Sequence, residues 1–182
     1  MLLEQLSPAA QDYIKLIYEL TDGERKASTT ALAEEMGVRP ASVSGMIKKL
    51  NKIEPALIEY EKWQGVSLTE TGRLLALELI RHHRLLESFL YGYLGYDWNE
   101  VHEEAHRLEH VISEALEDRL AEMMGHPKTD PHGGLIPDAN LEWPEVDPRH
   151  PLTDCQVGMQ VVIAEVADED AGLLARSDGC RD

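Results

Sequence analysis

The chain has 182 residues, with 17 lysines and arginines against 34 aspartates and glutamates, a net charge of −17. With 43% hydrophobic and 28% charged residues it reads as a globular protein with a real core rather than a disordered chain. No apolar run approaches the roughly 20 residues that a helix needs to cross a bilayer, and Met1 to Leu6 lack the layout of a secretory signal. A cytoplasmic protein with no membrane partner is therefore expected. The two cysteines, Cys155 and Cys180, form no CxxC pair and cannot build a disulfide framework.

Residues 9–20 place Tyr13, Ile14, Ile17, Tyr18 and Leu20 at helical spacing, with Ser7 as cap and Pro8 as first helical residue. Thr21-Asp22-Gly23 ends that helix. A second helix fits Thr29 to Met36, and Gly37 then turns the chain. Pro40 opens a third helix through Leu50, with Val43, Met46, Ile47 and Leu50 inward. Two extended segments, Leu57 to Glu61 and Gly65 to Leu68, flank the tip Lys62-Trp63-Gln64 and predict a hairpin. From Thr69 a long helix should run to about Leu94, and another from about Trp98 to Met124. Six of the nine prolines fall in 127–151, which predicts an irregular connector. Gln160 to Val166 is the one further strand candidate.

Helix, glycine turn, helix and basic-tipped hairpin form the pattern of a winged helix-turn-helix. The charge is uneven in a way that fits. Residues 1–75 carry nine basic and eleven acidic side chains, and Arg39 to Lys52 holds Arg39, Lys48, Lys49 and Lys52 with no acid. A polyanion has its docking place there, in an otherwise repulsive chain. Pro40, Ala41, Ser42, Ser44 and Gly45 give the third helix a small, polar outer face that fits the major groove, and Arg39, Pro40, Ser42 and Ser44 are expected near base edges. Lys48, Lys49 and Lys62 are placed for phosphates.

The second constellation is built on histidine. Five of the eight histidines fall between 82 and 110. His83 and Glu87 stand four apart; His102, His106 and His110 repeat the same interval, with Glu109 three after His106. Residues three or four apart share a helix face, so each helix offers nitrogen and oxygen donors to one ion. Such a set suits Mn²⁺, Fe²⁺ or Zn²⁺. His102-Glu103-Glu104-Ala105-His106 also spells H-E-x-x-H, so a zinc-dependent hydrolase with Glu103 as general base stands as an alternative.

These segments resemble the metal-dependent repressors named after the diphtheria toxin repressor, which include the manganese transport regulators. The likeness covers about residues 9–140. It is carried by DYIKLIYEL (12–20), MGVRPASVSGMIKKL (36–50), YEKWQGVSLTETG (60–72), HHRLLESFL (82–90), VHEEAHRLEHVISEALEDRL (101–120) and HPKTDPHGGLIP (126–137). The resemblance implies a mainly α protein with a winged helix-turn-helix at 1–72 and a helical metal-binding and dimerisation domain at 73–140. Residues 141–182 would be a linker and the start of a truncated SH3-like segment. It implies a non-enzymatic homodimer that represses metal-uptake genes by binding double-stranded DNA at palindromic operators when a divalent metal is bound.

By position, the resemblance assigns Asp12, His106, Glu109 and His110 to a primary metal site and His83, Glu87 and His102 to an ancillary one. The chain departs from both familiar branches. Iron-type members have methionine where Asp12 stands and cysteine where His106 stands. Manganese-type members have glutamate in place of His106 and a further glutamate in place of Lys15. Hard oxygens without sulfur favour Mn²⁺, then Fe²⁺ or Zn²⁺.

Overall fold

The computed structural model describes residues 2–21 and 25–166. The chain divides into two compact units, the first ending at Ile80 and the second beginning at Arg81. Cys180 and the end of the expected SH3-like segment lie outside the described residues, as do Asp22 and Gly23.

The first unit opens with a short 3-10 turn at Leu3–Gln5, followed by α1 (Pro8–Thr21), α2 (Thr29–Glu35) and α3 (Pro40–Leu50). Ser7 and Ser28 cap the starts of α1 and α2 through hydrogen bonds from the Ala10 and Ala31 amides, as serine at an N-cap should. Proline occupies the first turn of α3, where its missing N–H costs nothing. β1 (Ile58–Glu61) and β2 (Gly65–Leu68) then pair antiparallel, Ile58 opposite Leu68 and Glu61 opposite Gly65.

One apolar cluster holds this unit together. Ile14, Ile17, Leu32, Val43, Ile47, Leu50, Leu57 and Val66 are all essentially sealed from solvent within it. With Ile58 of β1, also buried in this cluster, they come from both strands and all three helices, which therefore share one core. At roughly 1.5–3 kcal/mol for each large side chain, that burial is the main stabilising term.

α4 (Glu70–Leu94) is the long helix expected from the sequence, capped by Thr69, whose hydroxyl accepts from the Gly72 amide. The stretch from Trp98 to Met124, however, is not one helix. It breaks into α5 (Val101–Leu108) and α6 (Glu114–Met123). The break has a local cause: Ser113 leaves helical geometry (ψ 150°) and its side chain accepts from the Leu116 amide, which starts a new helix with Glu114 and Glu117 in its first turn.

The apolar packing of the second unit is smaller. Leu86, Leu90, Val101, Ala105 and Leu120 form one cluster, and Leu85, Ala121 and Ile136 another. A buried polar network supplements them. The Arg81 guanidinium, on α4, pairs with Glu117 of α6 and donates to the Pro137 carbonyl (2.7 Å). His82 Nε2 lies 2.8 Å from the other Glu117 oxygen.

Residues 160–166 form no strand. The Val166 amide donates to the His132 carbonyl (2.9 Å), but no neighbouring strand is present among the described residues to build a ladder. Val161, Val162 and Ile163 stand exposed instead. No helix among the described residues is long and apolar enough to cross a membrane.

Candidate metal centre

α4 sets the first two donors. His83 and Glu87 are four residues apart on its buried face, with His83 Nε2 3.0 Å from Glu87 Oε1. α5 brings His102, whose Nδ1 lies 3.2 Å from His83 Nε2 and 3.4 Å from Glu87 Oε1. Two imidazole nitrogens and a carboxylate oxygen thus converge at one point. The three donor atoms lie within 4.8 Å of one another.

Just beyond the end of α5, Glu109 turns its carboxylate inward and is 1% exposed. Its Oε2 lies 2.6 Å from His83 Nδ1, and its Oε1 lies 3.0 Å from His106 Nδ1 and 3.7 Å from His110 Nε2. One carboxylate therefore faces three imidazoles. His83 is shared: its Nε2 looks toward Glu87 and its Nδ1 toward Glu109. Both ring nitrogens meet anionic oxygens, an arrangement that favours a cation.

Two further donors escape a reading of the sequence. In the loop after α6, His132 Nδ1 lies 3.7 Å from Glu87 Oε1, and Asp130 joins the pair to make a fully buried group. The His132 Nε2 is 2.8 Å from the Trp98 carbonyl oxygen, an acceptor, so Nε2 carries a proton and donates it. Nδ1 is then the nitrogen left to face Glu87, either protonated in an imidazolium or as a bare lone pair toward a cation. The Asp130 Oδ1 accepts from the His132 and Gly134 amides (2.8 and 2.9 Å), which folds the loop around it. Its Oδ2 is 3.4 Å from Arg84 Nε. Gly134 is required for that approach, because a Cβ there would stand 2.4 Å from Asp130 Oδ2. The signal is present in Asp130-Pro131-His132 within 126–137, but such loop spacing has no helical periodicity to reveal a shared face.

Electrostatics separates the two acids. Burial pushes the Glu87 carboxyl up, but hydrogen bonds from His102, His132 and His83 outweigh it and hold the group far below the usual carboxylate range. Glu87 is thus an anion, and its Oε2 is buried with no hydrogen-bond partner. Asp130 goes the other way: burial, then the Glu87 charge, push it up to about 6, with Arg84, the Gly134 amide and His132 offsetting only part. A buried carboxylate oxygen without a donor is costly unless a cation meets it. The residues present therefore fit a divalent ion with nitrogen and oxygen ligands.

Asp12 lies on α1 in the first unit and is half-buried. Arg39, Pro40, Ser42, Ser44, Lys48 and Lys49 are all exposed on α3 or at its cap, and Lys62 is exposed at the hairpin tip. The Ser44 hydroxyl donates to the Pro40 carbonyl (3.0 Å), which leaves its oxygen lone pairs to accept from an outside partner.

The H-E-x-x-H reading fails on this geometry. His102 sits against Glu87 while His106 sits against Glu109, so the two histidines serve different carboxylates. Glu103 is 80% exposed in its side chain and pairs with Arg107 (3.3 Å), away from both. A general base must reach the metal-bound reactant.

Two family models match the chain: the iron dependent repressor N-terminal DNA binding domain over residues 5–66, and the iron dependent repressor metal binding and dimerisation domain over 69–138. The iron-dependent repressor IdeR of Mycobacterium tuberculosis is 33% identical over 135 residues, covering 74% of this chain and 58% of that protein. The chain thus spans somewhat over half the length of that relative. The HTH-type transcriptional regulator MntR of Listeria innocua is 33% identical over 147 residues, covering 81% of this chain and 97% of the relative. Among solved structures, a manganese-dependent transcriptional repressor in complex with manganese superposes with a TM-score of 0.83 at 39% identity, covering 94% of this chain and 78% of that one.

Proposed function

This chain belongs to the iron-dependent repressor family, and from that premise we propose that it is a cytoplasmic, metal-activated transcriptional repressor. It acts as a homodimer on palindromic operators of metal-uptake genes and catalyses no reaction. The observation that carries this reading is the convergence of His83, His102, His106 and His110 on the buried carboxylates of Glu87 and Glu109.

In this reading His106, Glu109 and His110 hold the primary ion, with Asp12 as a fourth ligand. His83, Glu87 and His102 hold a second, and His132 and Asp130 complete it on the Glu87 side. A divalent ion supplies the positive charge that these buried carboxylates lack. The donor set contains no sulfur, so Mn²⁺ is favoured, with Fe²⁺ next and Zn²⁺ after it. Asp12 comes from α1, so its ligation links metal binding to the unit that carries α3. Two such units meet two half-sites only at the correct spacing, so a fixed orientation raises affinity. Arg39, Pro40, Ser42 and Ser44 read base edges while Lys48, Lys49 and Lys62 hold phosphates. Tyr93, Leu94, Val111, Leu116 and Met123, large apolar residues exposed in the second unit, are available to a second copy.

The test is selection from a randomised duplex pool, followed by gel-shift titration with Mn²⁺, Fe²⁺ and Zn²⁺ separately and a chelator control. The expected result is a palindromic sequence bound only with metal. Asp12→Ala should keep metal on His106, Glu109 and His110 while uncoupling it from DNA affinity. Full metal-dependent binding by Asp12→Ala removes Asp12 from the site, and binding unaffected by the chelator overturns metal activation.

A further inference from the structure

The hairpin tip carries a costly residue that has no part in the metal site or in the base and phosphate contacts proposed above. Trp63 is 91% exposed, whereas Trp98 is 8% and Trp143 40% exposed. It also sits at φ 73°, in the left-handed region that glycine or asparagine enters readily and a bulky side chain does not. Solvent exposure forfeits the apolar contact of the largest side chain, and the backbone is strained as well. Such pairings of exposure and strain accumulate where a residue serves a contact outside its own fold.

The hairpin is anchored behind its tip. The Gln64 amide donates to the Glu61 carbonyl (3.1 Å), which closes the turn. Behind it, Ala27 bridges Val66 through two backbone hydrogen bonds of 2.8 and 2.9 Å, and Lys26 pairs with Glu61. Gly65 permits that close approach, since a Cβ there would meet the Ala27 carbonyl oxygen at 2.5 Å. Lys62 Nζ lies 5.1 Å from the Trp63 ring centroid, so the tip presents a cation and an aromatic face side by side. Duplex DNA alternates the same two features along its minor-groove rim, an anionic phosphate and an apolar deoxyribose face. A protein surface would meet the ring without needing the adjacent cation.

We propose that Trp63 is a DNA-contacting residue, its indole packed against the deoxyribose edge of the minor groove beside the segment met by α3, with Lys62 on the neighbouring phosphate. This rests on the DNA-binding reading above. The contact is apolar and blind to base identity, so it adds affinity without releasing counterions.

The experiment uses the full chain with Mn²⁺ and the duplex recovered from the randomised pool, titrated by fluorescence anisotropy over a salt series. Trp63→Ala should weaken binding about tenfold with an unchanged salt slope, and Trp63→Phe should restore most of the loss. Lys62→Ala should instead lower the slope by about one. Thermal melts of Trp63→Ala should match or exceed the parent, because an exposed, strained side chain is removed. Parent-like affinity in Trp63→Ala overturns the proposal. So does a loss of affinity that sedimentation traces to a weakened dimer, which would place Trp63 between copies of the chain. If the parent selects no duplex with any metal, the DNA-binding reading itself falls and takes this contact with it. That failure is distinct from a parent and a Trp63→Ala variant that bind the same duplex equally well, which removes the contact alone.

Discussion

The two units are built on opposite principles. Up to Ile80, the described buried polar residues are Gln11 and Thr21, both neutral, inside one continuous apolar core. From Arg81 onward the described buried polar residues are Arg81, His82, His83, Glu87, Glu109, Glu117, Asp130 and His132, every one titratable, beside two small apolar clusters. Apolar burial stabilises without a partner and at any pH. Buried charges stabilise only when each meets its complement, and removing one leaves the rest exposed to the full desolvation cost. On the proposed reading the first unit should keep its shape without metal, and the second should gain part of its stability from an ion.

The largest expected effect comes from breaking a pair in the second unit that is not a metal ligand. Glu117→Gln leaves Arg81 buried without its anion and should cost about 3–5 kcal/mol in denaturant titrations at neutral pH. The pH dependence has a fixed sign. Burial raises the Glu117 carboxyl, but His82 and Arg81 outweigh it and hold the folded value below the ordinary one. Its stabilisation is thus complete above about pH 4.5 and lost as pH falls through the lower folded value. The gap between parent and variant should narrow as acid protonates Glu117.

Next in size, Leu50→Ala tests the apolar principle. Leu50 is 0% exposed in the first core, and its truncation should cost about 3 kcal/mol, within the usual 2–5. That loss should show no comparable acid dependence, and Mn²⁺ affinity measured by competition with a chelating dye should be unchanged. A strong acid dependence would mean that the first unit has charged groups holding it together after all.

The smallest effect sharpens the contrast rather than breaking it. Saturating Mn²⁺ at about a hundred times Kd should add about 2.7 kcal/mol to the stability of the parent, and a chelator should remove it. Glu87→Gln should lose the share of that increment that the second ion supplies and keep the rest. In hydrogen exchange, the added protection should appear from His83 to Glu109 and at 130–134 while α2 and α3 stay unchanged. Equal protection across both units would refute the division.

The legibility of the chain follows the same division. Ser7, Pro8, Gly37 and Pro40 punctuate helices whose apolar spacing is regular, so the first unit is readable element by element. His83, Glu87, His106, Glu109 and His110 are readable because helical periodicity places them three or four apart. The break between α5 and α6 is hidden because apolar spacing continues across it, although Ser113 with Glu114 and Glu117 is a start signal. Gln160 to Val166 has strand composition, yet a strand exists only when a neighbour takes its hydrogen bonds.

The sequence by itself determined which residues bury and which donors share a helix face, because both depend on periods of a few residues. Only the tertiary structure decided which donors meet. It joined His83 to both Glu87 and Glu109, split His102 from His106, and brought Asp130 and His132 from a loop onto Glu87. Those encounters depend on how α4, α5 and the 130–134 loop pack. Packing is set by side-chain shape across long sequence separations, which no local repeat encodes.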